Sequence, residues 1–225
     1  MALTVKKKML PWGNRNHPKT TLNGSGDLYI MVHETGNTRA GTGAAMHANF
    51  VYNGGGASSV SFHFAVDEKE AWQMMACNTV GWHASDGCDN RNLDWGCFRS
   101  VAIETCVNDG NIYKQATRKK LAELIAMIIN GDPAIDFGGI DYRRFSLDRI
   151  RTHHDAANDK KWCPRYMLNE GYIPVLRANV TSLVRGTTPT PLPPVKGIEI
   201  GGTVTSTDVL NVRQGSELKT TSGPA

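Results

Sequence analysis

A few residues of this chain carry side chains suited to bond-breaking chemistry, and they lie far apart in sequence. His33 ends an apolar run, Leu28 to His33, and meets the polar turn "ETGN". Two adjacent histidines, His153 and His154, open the stretch "HHDAANDKKWCP", which closes on Lys161, Cys163 and Pro164. Imidazole and thiolate are zinc ligands, and a catalytic zinc site takes three protein ligands and leaves one position for water. His33, one histidine of the pair and Cys163 make such a set. Each also has a plainer reading: a strand-ending histidine serves as a hydrogen-bonded surface residue, and Cys-Pro as a turn. Glu104 is the lone charged residue in "SVAIETCV". A carboxylate in an apolar strand needs a partner or a function. Near a metal-activated water it is a general base whose pKa burial can adjust; on an edge strand it would only face solvent.

These residues need elements to hold them. Leu28 to His33 reads as a buried strand. Gly41 to Tyr52 is helix-like and is stopped by "NGGGASS". Ser59 to Glu68 alternates, with Val60, Phe62, Phe64 and Val66 expected on one face and Ser61, His63 and Ala65 on the other. Ser100 to Val107 is a further strand. Between Gly81 and Phe98 lies a long loop rich in Gly, Asn and Asp, and loops of that length inside a domain tend to be functional. Tyr113 to Gly131 is the clearest helix: Leu121, Leu124, Ile125 and Ile128 share one face, and Gly131 is a natural C-cap. Pro164 to Val184 is mostly helical, with a break between Gly171 and Pro174. Strands alternating with helices predict an α/β fold, a central mixed β-sheet flanked by helices.

Composition bounds the rest. At 225 residues, 40% hydrophobic and 20% charged, the chain suits one well-buried domain with some length left over. The formal charge of +4 comes without a dense basic stripe, which argues against nucleic acid as partner and suits an anionic polymer such as a bacterial wall. No apolar run is long enough to span a membrane. The lysines near the start are not followed by an apolar segment, so no secretory signal is expected and synthesis is expected in a cytoplasm. Five cysteines, an odd number, do not make a disulfide framework, although Cys88 and Cys97 are close enough in sequence to pair after release. Proline-rich "RGTTPTPLPPVKG" from Arg185 reads as a linker. The chain is therefore divided as 1–184, 185–197 and 198–225, the last reading as strand, turn, strand.

Several stretches taken in order resemble the zinc-dependent N-acetylmuramoyl-L-alanine amidases of phage endolysins and bacterial autolysins, the group related to peptidoglycan-recognition proteins. They are "YIMVHETGNT", "SVSFHFAVDEKEAWQMM", "GWHASDGCDNRN", "VAIETCVNDGN" and "RTHHDAANDKKWCPRYML", and they cover roughly Leu28 to Val184. The resemblance implies that fold and one zinc per chain, held by His33, a histidine of the pair and Cys163. It implies Glu104 as the group that takes a proton from water, and Lys161 beside the scissile carbonyl. Related phage amidases carry a tyrosine where Phe62 stands here. A phenyl ring cannot move a proton, which leaves Glu104 as the base. Counting forward from the strand, "Arg-Thr-His" fits the family register and selects His153; counting back from Cys163 would select His154. Loops absorb insertions more easily than strands, so the extra length is assigned to "AANDK" and the ligand to His153. Trp82, His83 and Trp95 are candidates for lining a glycopeptide groove, or else for anchoring their loop.

The implied substrate is bacterial peptidoglycan, cut between N-acetylmuramic acid and L-alanine after release from the host cytoplasm. Two other readings compete: a non-catalytic recognition module, whose members commonly lack the cysteine ligand, and a muropeptide-recycling amidase, which usually carries an aspartate there. The tail "TVTSTDVLNVRQGSE" resembles the opening of a bacterial Src-homology-3-like wall-binding domain, only partly present.

Overall fold

Strand β2, Tyr29–Glu34, is the centre of the sheet, and its Tyr29, Ile30, Met31 and Val32 are all buried. A strand apolar on every residue suits a sheet covered on both faces. The structure is a computed structural model describing residues 3–22, 26–55, 60–84, 96–156 and 161–187, with the backbone of 212–214 and 217–219. The other strands of the main sheet are β1 (Val5–Lys7), β3 (Phe64–Val66), β4 (Ala71–Gln73), β5 (Ser100–Thr105) and β6 (Ile150–Thr152). Their order is β1-β4-β3-β5-β2-β6. β2 runs parallel to β5 and β6, β3 is parallel to β5, and β3 and β4 form the antiparallel pair. The expected mixed sheet is therefore present.

Helices cover both faces. On one side α2 (Lys114–Asn130) and α5 (Ile173–Val184) set Leu121, Leu124, Ile125, Ile128, Leu176 and Val180 against Val101 and Ile103 of β5. Gly131 ends α2 in the left-handed conformation, φ 71°, as its position predicts. On the other side α1 (Ala44–Tyr52) packs Ala44, Ala48 and Val51 with Ala65 and Ala102. Asp67 Oδ2 accepts the Ala44 N–H at 2.7 Å and fixes the start of α1.

The structure corrects the sequence in two places. The alternation across Ser59 to Glu68 is broken. Phe62 packs with the α1 side, whereas Phe64 and Val66 join the α2 and α5 side. The chain bends at His63, whose N–H donates to Ala102 and whose carbonyl accepts from Met74, so the residues before it change face. Second, the histidine pair does not lie in extended chain: β6 stops at Thr152 and α3, His153–Ala156, begins at once. The break expected between Gly171 and Pro174 is present: Pro164 to Val184 forms two helices, α4 (Arg165–Asn169) and α5, with Gly171 between them at φ 59° and Pro174 in the first turn of α5.

The chain divides into two compact units, Met1–Leu192 and Pro193–Ala225. Within the second, β7 (Val212–Gln214) pairs antiparallel with β8 (Glu217–Lys219). The rest of the expected linker and tail, Cys88, Trp95 and most of "AANDK" lie outside the described residues. Among the described residues no helix is long and apolar enough to cross a membrane.

Candidate metal centre

Register builds the site. In β2 and β5, His33 stands opposite Glu104; in β2 and β6, Val32 stands opposite Thr152, so His153 follows level with His33. Directly opposed residues project to the same side of a sheet. Glu104 shares its side with Ala65 and Ala102, whose small side chains belong to the α1 face and leave room above it. Three neighbouring parallel strands thus deliver a functional side chain at or just past their C-terminal ends, where ligands bind in open α/β sheets.

Two caps hold the remaining pieces. Asp155 Oδ2 accepts the Thr152 N–H at 2.8 Å while the Thr152 hydroxyl faces the Asp155 N–H at 3.1 Å. This reciprocal pair closes the turn that carries His153. Glu34 accepts the Tyr166 and Met167 N–H groups at 2.6 and 3.2 Å, tying the start of α4 to the end of β2. Cys163 lies just before α4 and is placed by that tie. His154 turns elsewhere: its N–H donates to the Cys163 carbonyl at 2.8 Å, its Nδ1 lies 3.1 Å from the Lys161 carbonyl, and its ring meets Trp162 edge to face.

The ligand atoms of His33, His153 and Cys163 lie within 4.8 Å of one another. His33 Nδ1 is 3.9 Å from Cys163 Sγ, and the His33 and His153 ring centres are 4.6 Å apart. Tetrahedral zinc, with bonds of about 2.0–2.3 Å, holds its ligand atoms roughly 3.5 Å apart, so small side-chain rotations close this set. The donor chemistry fits as well. Burial first, and then the charges of His83, His153 and Lys161, hold the His33 pKa well below 6.5, which keeps a neutral lone pair available. Burial, followed by the Glu104 and Glu34 carboxylates, pushes the Cys163 thiol up to about 12. A bound cation is what would make that sulfur a thiolate.

Glu104 sits beside this set. Burial lifts its pKa to about 7; the Lys161 charge lowers it and Glu34 raises it. Its Oε2 has no exposed surface and no hydrogen-bond partner among the described residues. An orphaned carboxylate oxygen is costly for stability alone. His33, His83, Glu104, His153, Lys161 and Cys163 all line one cleft of about 450 Å³, with Trp162 and Tyr166 also on its wall.

A family model described as N-acetylmuramoyl-L-alanine amidase matches residues 27–166. The chain belongs to that family. Among curated amidases it is 33% identical over 172 residues to CwlH of Bacillus subtilis, covering 74% of this chain and 58% of CwlH. It is 35% identical over 115 residues to XlyA of the same organism, covering 51% of this chain and 35% of XlyA. The chain spans about half the length of the first of these amidases, 58% of CwlH and 45% of CwlA. The solved catalytic domain of XlyA superposes with a TM-score of 0.61 at 28% identity, over 79% of this chain and 99% of that domain. The PlyG catalytic domain, 22% identical over 85% of this chain and 99% of that one, shares the fold with a TM-score of 0.64.

Seen as a member of the amidase family, the chain gathers most of its sequence-selected residues in one place. His33, His153, Cys163, Glu104, Lys161 and His83 share the cleft, whereas Trp82 is exposed and is not among the cleft-lining residues. Sequence reasoning missed Glu34 and Asp155. Each carried a signal: a second carboxylate directly after a ligand, and a Thr-x-x-Asp box opening a turn.

Proposed function

We propose that this chain is a peptidoglycan hydrolase that cleaves the amide between N-acetylmuramic acid and the L-alanine of the stem peptide. The observation that carries this reading is Glu104, with one carboxylate oxygen buried and unpartnered among the described residues, in the same cleft as His33, His153 and Cys163. A module that only bound muropeptide would have no need of an orphaned base beside a ligand set. One zinc ion per chain, held by those three residues, supplies Lewis acidity toward the lactyl carbonyl and toward water. Glu104, with its pKa near neutrality, takes the proton from the attacking water and returns it to the departing amine of L-alanine. Lys161 brings positive charge to the oxygen that becomes negative in the tetrahedral state. The half-buried site strengthens that attraction by excluding water.

The hairpin of β7 and β8, whose first strand begins within the sequence "LNVR" at Val212, is read as part of a Src-homology-3-like wall-binding segment. The place of action is then the bacterial cell wall. The test is digestion of purified Gram-positive walls. Free L-alanine amino groups should accumulate without new reducing sugars. New reducing ends with no new amines would mean a glycosidase and end this reading.

A further inference from the structure

His83 is an expected substrate contact, yet it has little surface to offer one: 9% of the residue is exposed. Its polar contacts run the other way, into the protein. His83 Nδ1 lies 3.2 Å from His33 Nε2, and His83 Nε2 lies 3.4 Å from the Ser100 hydroxyl. That hydroxyl donates to the Gly96 carbonyl at 2.9 Å. A carbonyl only accepts, so it sets the direction of the whole row. With its proton on Gly96, Ser100 Oγ accepts from His83 Nε2–H. His83 Nδ1 is then a lone pair and accepts from His33 Nε2–H. His33 is left with its lone pair on Nδ1, the nitrogen 3.9 Å from Cys163 Sγ.

Gly81 leaves room for the ring. A Cβ added at Gly81 would stand 2.9 Å from His83 Cδ2 and 3.2 Å from His63 Cε1. A side chain at Gly81 would press on the His83 ring and displace it.

We propose that His83 is a positioning residue that, with Ser100 and the Gly96 carbonyl, fixes His33 in the Nε2–H tautomer and so directs its Nδ1 lone pair to the metal. This rests on the reading that His33 holds zinc. A ligand histidine whose other nitrogen is hydrogen-bonded is fixed in both tautomer and ring orientation. In this site the acceptor is a second imidazole, itself oriented by a serine.

The test uses the full chain and two readouts that do not depend on lysis. Nitrogen NMR of the metal-free, 15N-labelled protein should show His33 protonated on Nε2 and bare on Nδ1. Zinc affinity, measured by competition with a chelator, should fall ~10–100-fold in His83→Ala. His83→Asn should bind within a few-fold of the parent, because the amide oxygen can replace Nδ1 as acceptor. A His33 protonated on Nδ1 in the parent protein would overturn the proposal, and it is decided without any variant. So would full zinc affinity in His83→Ala, or an Asn variant as weak as the Ala variant. His33→Ala separates the two readings. If it keeps zinc, the metal assignment itself fails; if it loses zinc while His83→Ala does not, only the orienting role fails.

Discussion

Glu104 is held in a state that works against the stability of the fold. Its pKa, raised by burial from 4.5 to about 7, means the folded chain resists ionising a group that the unfolded chain ionises freely. For a raised carboxylate the stability is greatest below about pH 4.5, falls as pH rises to about 7, and is level above. Glu104→Gln removes that penalty. In metal-free protein above pH 7 it should be more stable than the parent by up to about 3 kcal/mol, a gap that closes below pH 4.5. Its lytic activity should fall by ~10²-fold or more. Urea melts at two pH values, alongside wall lysis, check both halves. Equal stability at both pH values would show that Glu104 is solvated. The adjacent histidines give the second test at this scale. His153→Ala should lose zinc and lysis, whereas His154→Ala, which loses side-chain contacts to Trp162 and to the Lys161 carbonyl but keeps its backbone bond to Cys163, should keep most of both. Zinc content by atomic absorption reads the difference.

At the scale of elements, much of the site was legible and the reasons can be named. The ends of β2 and β5 were visible because each is a continuous apolar run closed by a polar residue. Their mutual register, which sets His33 against Glu104, was not, since nothing local in either segment encodes its partner. β1, β4 and β6 each contribute a three-residue ladder, too short to display a period. The face of Phe62 was misassigned because a regular alternation was carried through His63, whose side chain is drawn to Thr79 and Ala102 instead. Glu34 tests how elements position a ligand. Glu34→Ala frees two N–H groups at the start of α4 and should cost about 1 kcal/mol, as lost caps do. Because Cys163 stands directly before that helix, zinc affinity should drop as well, while Asp141→Ala, which removes an exposed cap far from the cleft, should leave it unchanged. Thermal melts and chelator competition on the two variants separate lost stability from lost placement.

At the scale of the molecule, a buried ion pair ties α2 to the junction of α4 and α5 within the first unit. Arg118, with only 2% of its side chain exposed, is paired with Glu170 at 2.7 Å and lies 4.3 Å from the centre of the Tyr172 ring. Burial pushes the Glu170 pKa up, but hydrogen bonds and charge from Arg118 and Lys114 outweigh it and leave the pKa lowered. A lowered carboxylate stabilises above its unfolded pKa of about 4.5, and that contribution is lost as pH falls through the folded value. Glu170→Gln leaves a buried guanidinium poorly compensated and should destabilise by about 2 kcal/mol at neutral pH, less than for a fully buried pair because Glu170 is partly exposed. Denaturation midpoints of the two proteins should converge at acid pH. A gap that persists unchanged at pH 3 would mean that packing, not charge, had been lost.

The register of the sheet also fixes when the centre can come into being. His33 and Cys163, which approach to 3.9 Å, are 130 residues apart in the chain. His33 must wait for β5 to meet Glu104, for β6 to bring His153, and for the start of α4 to bring Cys163. Contacts this remote form late, after the closure entropy of the intervening chain has been overcome. During synthesis from the N-terminus, no partial chain that ends before Cys163 holds a complete set of ligands. A ligand set assembled this way can hold one ion through all three side chains only when nearly the whole first unit has been made.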